Sequence, residues 1–270
     1  MPPPTFGPVP QHLWDRSPPP KDRIASGRLN RLDWYIGLPR GHAHGSWGYT
    51  ILRTAYGPGS DALFAVALDR LKSYVHWWCH DGRFHAYGAL CERERVDFDE
   101  PNEELFRRFY VEVIEDREGL AHLDGGGTTG DARFMALGEY FRRWVAGVET
   151  GVQPEENPRF CTCLVLDSES AASLAALPEK PPPLRCAVDI EEKRKFLSTG
   201  EGALVWLLET DYMAEPELHE DAYRGWMKLD LSSVEFSWFR RLSRGISGKR
   251  HYFEHEERER GSGIYWFAEQ

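Results

Sequence analysis

Cysteine is scarce in this chain of 270 residues: Cys79, Cys91, Cys161, Cys163 and Cys186 form an odd set without C-x-x-C spacing. Such a set argues against a disulfide framework and against a cysteine zinc site, so the thiols read as reduced. Long apolar runs are missing too. No stretch of 18 consecutive apolar residues offers a membrane span, and "MPPPTFGPVPQHLWDRSPPP" at the start lacks the apolar core of a secretory signal. A cytoplasmic location with no membrane partner is the expectation. Positive charge is in deficit, with 33 basic against 43 acidic side chains and a net charge of −10. That field repels a phosphate backbone at long range, so nucleic acid is not an expected partner.

Motifs for covalent and nucleotide chemistry are also lacking. No G-x-S-x-G elbow accompanies the serines, so acyl transfer has no support. "GISGKR" stops short of a Walker loop, because Ser243 stands where a glycine is needed and Arg250 where a hydroxyl is needed. The turn Gly57-Pro58-Gly59 with Ala62 does fit G-x-G-x-x-A between a strand and a helix. Its chemistry fits badly, since Pro58 has no N–H and Asp61 already sets a carboxylate at the positive end of the helix. A Pro-Gly turn capped by Ser60 is the simpler reading.

What the chain has is aromatic rings: 10 Trp, 11 Tyr and 14 Phe, which fill a core or line a pocket. Eight prolines in the first twenty positions make residues 1–30 an arm expected to be disordered. Residues 31–246 read as a single α+β domain, and 247–270 as a charged tail. "WGYTILRTAY" (47–56), "FYVEVIED" (109–116), "FCTCLVL" (160–166), "ALVWLLET" (203–210) and "WMKLDL" (226–231) have strand character. Phe64, Leu68, Leu71, Val75 and Trp78 recur at helical spacing, "DARFMALGEYFRRWVAG" (131–147) is a second helix, and Ser168 or Asp167 can cap a third. The economical architecture is a mostly antiparallel sheet with helices packed on one face, ferredoxin-like in spirit.

Histidines cluster at His42, His44, His76, His80 and His85, with pairs at i,i+2 and i,i+4 that suit metal ligation. No carboxylate completes a compact signature, and no metal or other cofactor is expected. Arg53 interrupts an apolar strand, so it is either paired inward, for example with Asp211 or an anionic substrate group, or solvated. Asp211 and Tyr212 follow an apolar strand, where a carboxylate and a phenol can serve as base and donor; a turn-forming Asp and a half-buried Tyr are the plainer alternative.

Trp47 to Ile51, Arg53-Thr54, Tyr56 and Ser60-Asp61, followed by "CLVLDSES", "ETDY" and "YRGWMKLDL", resemble a group of uncharacterised proteins of filamentous ascomycete fungi. The similarity spans residues 45 to 243 as short motifs in the same order, while His76–His85 and the tail after Ser247 depart from it. It implies a fungal intracellular protein, associated with specialised metabolism. Together these features lead us to expect a cofactor-independent cyclase, isomerase or lyase acting on a hydrophobic small molecule. Arg53, Tyr56, Asp211 and Tyr212 would be catalytic, and Trp47, Tyr49 and Trp226 would hold the substrate. A homo-oligomer is compatible with this; the alternative is a non-catalytic protein that docks a partner through an aromatic surface patch.

Overall fold

The computed structural model describes residues 45–81, 99–125, 130–148, 158–181, 203–214 and 224–231, with short pieces at 6–7, 10, 12, 234–235, 237–238, 255–257 and 265–267. Strand β1 (Thr50–Arg53) leads through a Pro-Gly turn into helix α1 (Ser60–Asp81). Helix α2 (Asp99–Arg107) precedes β2 (Glu112–Ile114), α3 (Arg117–Leu120) and a 3₁₀ turn at Ala121–Leu123. Next come α4 (Asp131–Ala146), the short α5 (Pro158–Cys161), β3 (Thr162–Leu166) and α6 (Ser168–Ala175). Then follow β4 (Leu204–Glu209), α7 (Thr210–Ala214), β5 (Trp226–Asp230), β6 (His255–Glu257) and β7 (Tyr265–Phe267).

The main sheet has the order β2-β1-β3-β4-β5. β1 runs parallel to both neighbours, while β3–β4 and β4–β5 are antiparallel, as is the separate pair β6–β7. Antiparallel pairings are thus in the majority of an α+β fold. What differs from expectation is the layering.

Side chains alternate across a strand, and here both sets are apolar. Ile51, Leu164 and Leu207 face α1 and α6, where Phe64, Ala67, Leu71, Ala171 and Leu174 meet them. Leu52, Val165 and Leu208 face α4, where Phe134, Leu137 and Phe141 meet them. Helices therefore cover both faces, not the single face of a ferredoxin-like arrangement, because the central strands are apolar on both sides and each side needs cover.

Described pieces near both chain ends make contacts with the domain. The 247–270 segment carries the β6–β7 pair, with β7 lying against β5. At the other end Phe6 packs on Arg107 and Arg108, so this part of the arm is docked.

Candidate functional site

Three parallel strands end side by side, with Leu52 opposite Ile114 and Arg53 opposite Leu166. The chain leaves β1 for β2 on one flank and later returns to β3 on the other. In open sheets the crevice beyond such strand ends, where the winding reverses, is where ligands sit.

Arg53 is the charged group at this point, 5% exposed. Its Nε donates to the Ala55 carbonyl at 3.0 Å, Nη1 donates to Glu115 at 3.0 Å, and Nη2 reaches the Ser60 hydroxyl and the Asp61 carboxylate. The guanidinium also lies 4.6 Å from the Phe64 ring centre and 4.7 Å from that of Tyr56. Burial pulls its pKa down, but the bonds to Asp61 and Glu115 outweigh this and raise it. Arg53 is a fixed cation.

Tyr56 is half-buried and its phenol pKa is raised, chiefly by burial, with Arg53 opposing. Among the described residues its hydroxyl reaches no partner at full hydrogen-bond geometry, although the Asp116 backbone lies close enough to pull the pKa down. Asp116 caps α3, accepting from the Gly119 amide at 3.0 Å and from the Tyr140 hydroxyl at 2.8 Å. Those bonds hold its carboxyl below the usual range, while burial and Asp116 push Tyr140 up to about 12. The Tyr56 phenol therefore feels both the Arg53 cation and the Asp116 carboxylate.

The face toward α4 is polar as well. Asp167, 2% exposed, follows β3 and caps α6, accepting from the Ser170 amide at 2.8 Å. It also accepts from Arg133 Nη2 at 2.9 Å and Trp206 Nε1 at 3.1 Å. Asp124 accepts from the Ser168 amide at 3.0 Å and from its hydroxyl. Thr54, fully buried, shares the strand-end parity of Asp167, and its hydroxyl has no hydrogen-bond partner among the described residues. Leaving such a group unsatisfied costs about 1–3 kcal/mol.

The expected catalytic set divides. Arg53 and Tyr56 are together, but Asp211 and Tyr212 lie in α7, just past Glu209, which pairs with Thr162 at the start of β3. Because β4 runs against β3, its end emerges at the opposite end of the sheet, about 13 Å away along the strand. Asp211 is exposed, Tyr212 is buried in the α1-side core, and the acids on Arg53 are Asp61 and Glu115 instead.

The rings expected to hold substrate are not gathered around Arg53. Trp47 is fully buried with Nε1 donating to the Leu105 carbonyl at 2.7 Å, and Tyr49, also buried, donates to the Val234 carbonyl at 3.3 Å. Trp226 begins β5 opposite Leu208, stacked on Phe134 with ring centres 5.2 Å apart. All three are at the far end of the sheet from Arg53.

His76 pairs with Glu103 at 2.8 Å and stacks on Phe106. His42, His44 and His85, and the side chain of His80, lie outside the described residues. Among the described residues no group of three His, Cys, Asp or Glu is arranged to hold a metal. In the Gly57–Gly59 turn, a side chain at either glycine would meet nothing within 4 Å, so the chain's own packing does not demand them. Sequence reasoning missed Asp116, Asp124, Arg133 and Tyr140 as members of this cluster, and took Asp167 only as a cap. The signal available was an acidic residue directly after each of two apolar strands, Glu115-Asp116 and Asp167.

Compared with known proteins, the chain matches no family model, no curated protein and no solved structure.

Proposed function

We propose that the protein is a cofactor-independent enzyme, a cyclase, isomerase or lyase, that moves protons on a hydrophobic small molecule at the ends of β1, β2 and β3. The observation that carries this reading is the buried Arg53 against the Tyr56 ring, with the Asp116–Tyr140 pair beside them. Arg53 and the Tyr56 phenol stabilise negative charge developing on a substrate oxygen, and Asp116 accepts the proton. A carboxylate with a lowered pKa is a weak base. It therefore suits a proton already made acidic, such as one next to a carbonyl polarised by a cation and a phenol.

The resemblance to ascomycete proteins supports a place in fungal specialised metabolism and an intracellular home. No helix among the described residues is long and apolar enough to cross a membrane. The alternative of an aromatic docking patch gains nothing here: the exposed large apolar side chains among the described residues are Val66 and Met135, neither aromatic.

Proton transfer can be read without knowing the natural substrate. Incubation with a panel of hydrophobic ketones and keto acids in deuterated water, followed by mass spectrometry, shows exchange next to the carbonyl. We expect exchange with wild type and a loss of about 100-fold or more in Tyr56→Phe and in Asp116→Asn. Exchange that is absent across the panel, or indifferent to both substitutions, defeats the proposal.

A further inference from the structure

The end of α2 holds two adjacent cations on one acid. Glu104 accepts from Arg107 Nε at 2.8 Å and Nη2 at 2.7 Å, and from Arg108 Nε at 2.6 Å. Among the described residues one positive charge is left over, with no second carboxylate in the bonds these arginines make. Instead the Phe6 ring centre lies 4.9 Å from the Arg107 guanidinium and 5.4 Å from that of Arg108. Arg108, fully buried, gives its other donors to backbone carbonyls, Nη2 to Gly7 at 2.9 Å and Nη1 to Gly45 at 3.3 Å.

Such a site recognises a π face and a carbonyl dipole, not an acid. Gly45 shapes it: at φ +60, a Cβ there would stand 2.8 Å from Arg108 Nη1 and 3.3 Å from both Phe6 Cβ and the Phe6 carbonyl. A second contact fixes direction. His12 meets Glu100 while Gly7 meets Arg108, so the arm runs antiparallel to α2. The same helix end holds the start of the sheet, since the Arg108 carbonyl accepts from the Trp47 amide at 2.9 Å.

We propose that Glu104, Arg107, Arg108 and Gly45 form a docking site for an aromatic–glycine segment, and that its occupant is Phe6–Gly7 of the same chain. The arm is a clasp that holds α2 and residues 45–47 together. The 37 residues between Gly7 and Gly45 keep the ligand at an effective concentration on the order of millimolar, so even a weak contact stays filled.

Two measurements on the full chain test this. Hydrogen exchange of wild type and Phe6→Ala is expected to differ at α2 and residues 45–48, about tenfold faster in the variant, with α4 unchanged. A fluorescent peptide of residues 1–14, titrated to about 1 mM, is expected to bind the Phe6→Ala protein, to bind wild type at least tenfold more weakly, and to lose binding when it carries Phe6→Ala itself. Unchanged exchange, or a peptide indifferent to its own Phe6, overturns the proposal. So does a wild-type dimer that Phe6→Ala converts to monomer, which would make the occupant the arm of a second copy.

Discussion

Arg53, buried, and Arg133, half-buried, are both bonded to carboxylates, yet replacing each by Met has a different expected cost. Arg53 faces Asp61 and Glu115, whose side chains are 90% and 57% exposed. When the guanidinium goes, both acids rehydrate, and such pairs are worth about 0–1 kcal/mol. Lost ring contacts with Tyr56 and Phe64 add about 0.5–1 kcal/mol each, partly restored by the Met sulfur. The total is about 2 kcal/mol. Arg133 faces Asp167, which stays almost wholly buried and keeps, among the described residues, the Trp206 and Ser170 donors. A buried charge stripped of its ionic partner costs about 3–5 kcal/mol. For a chain of this size the two variants should melt about 4 °C and about 8 °C below wild type in calorimetry. Adding Asp167→Asn to Arg133→Met should recover more than half of the loss, because the amide needs no counter-charge. If Arg53→Met proves as damaging as Arg133→Met, or the double variant recovers nothing, exposure of the acid is not what sets the cost.

Four further outcomes follow from the same geometry. Tyr140→Phe removes a phenol whose folded pKa is pushed up to about 12, so the stability it contributes is complete below about pH 10 and is lost as pH rises toward 12; the gap between wild type and variant in urea titrations should therefore narrow across that range. The Asp116 end of the same bond acts with opposite sign: its lowered pKa contributes stability above the ordinary carboxylate range, lost as pH falls through the folded value, so Asp116→Asn should flatten the acid limb of the stability profile. Gly48→Ala should block folding or cost more than about 4 kcal/mol, since at φ +125 its Cβ would lie 2.2 Å from the Tyr110 carbonyl oxygen, whereas Gly59→Ala, at φ +76 in open space, should cost only about 1–2 kcal/mol by denaturant unfolding. Cys79, Cys161 and Cys163 are buried, and burial pushes the Cys163 thiol up, so alkylation mapped by mass spectrometry should label these three only after unfolding.

Elements were legible where a local pattern decides them. β4 and β5 fall within a residue or two of the apolar runs at 203–210 and 226–231, and α4 within one of 131–147. Helix α1 shows the limit of periodicity: Phe64, Leu71 and Val75 are buried as spaced, Leu68 and Trp78 are only half-buried, and Ala67 and Tyr74 are core instead. The buried arc is wide because α1 packs against α6, α2 and the sheet at once, and a small Ala67 admits the close neighbour. Strand direction has no local signature. Asp211 follows β4 much as Asp167 follows β3, but one strand is antiparallel and the other parallel to β1, so only Asp167 reaches the end of the sheet that holds Arg53. Arg53 and Tyr56 were legible because three residues of chain keep them together whatever the topology. Asp116 and Tyr140 were not, since their meeting depends on α4 packing behind β2.

The connections at that end of the sheet are brief: residues 54–59 after β1, 115–116 after β2, and Asp167 alone after β3. Side chains anchored this near to hydrogen-bonded strands have little room to swing. Any small molecule accepted there must match a mould already set, so free and loaded forms are expected to superimpose in their backbone. Selectivity would then be altered more readily by exchanging a residue than by lengthening a turn.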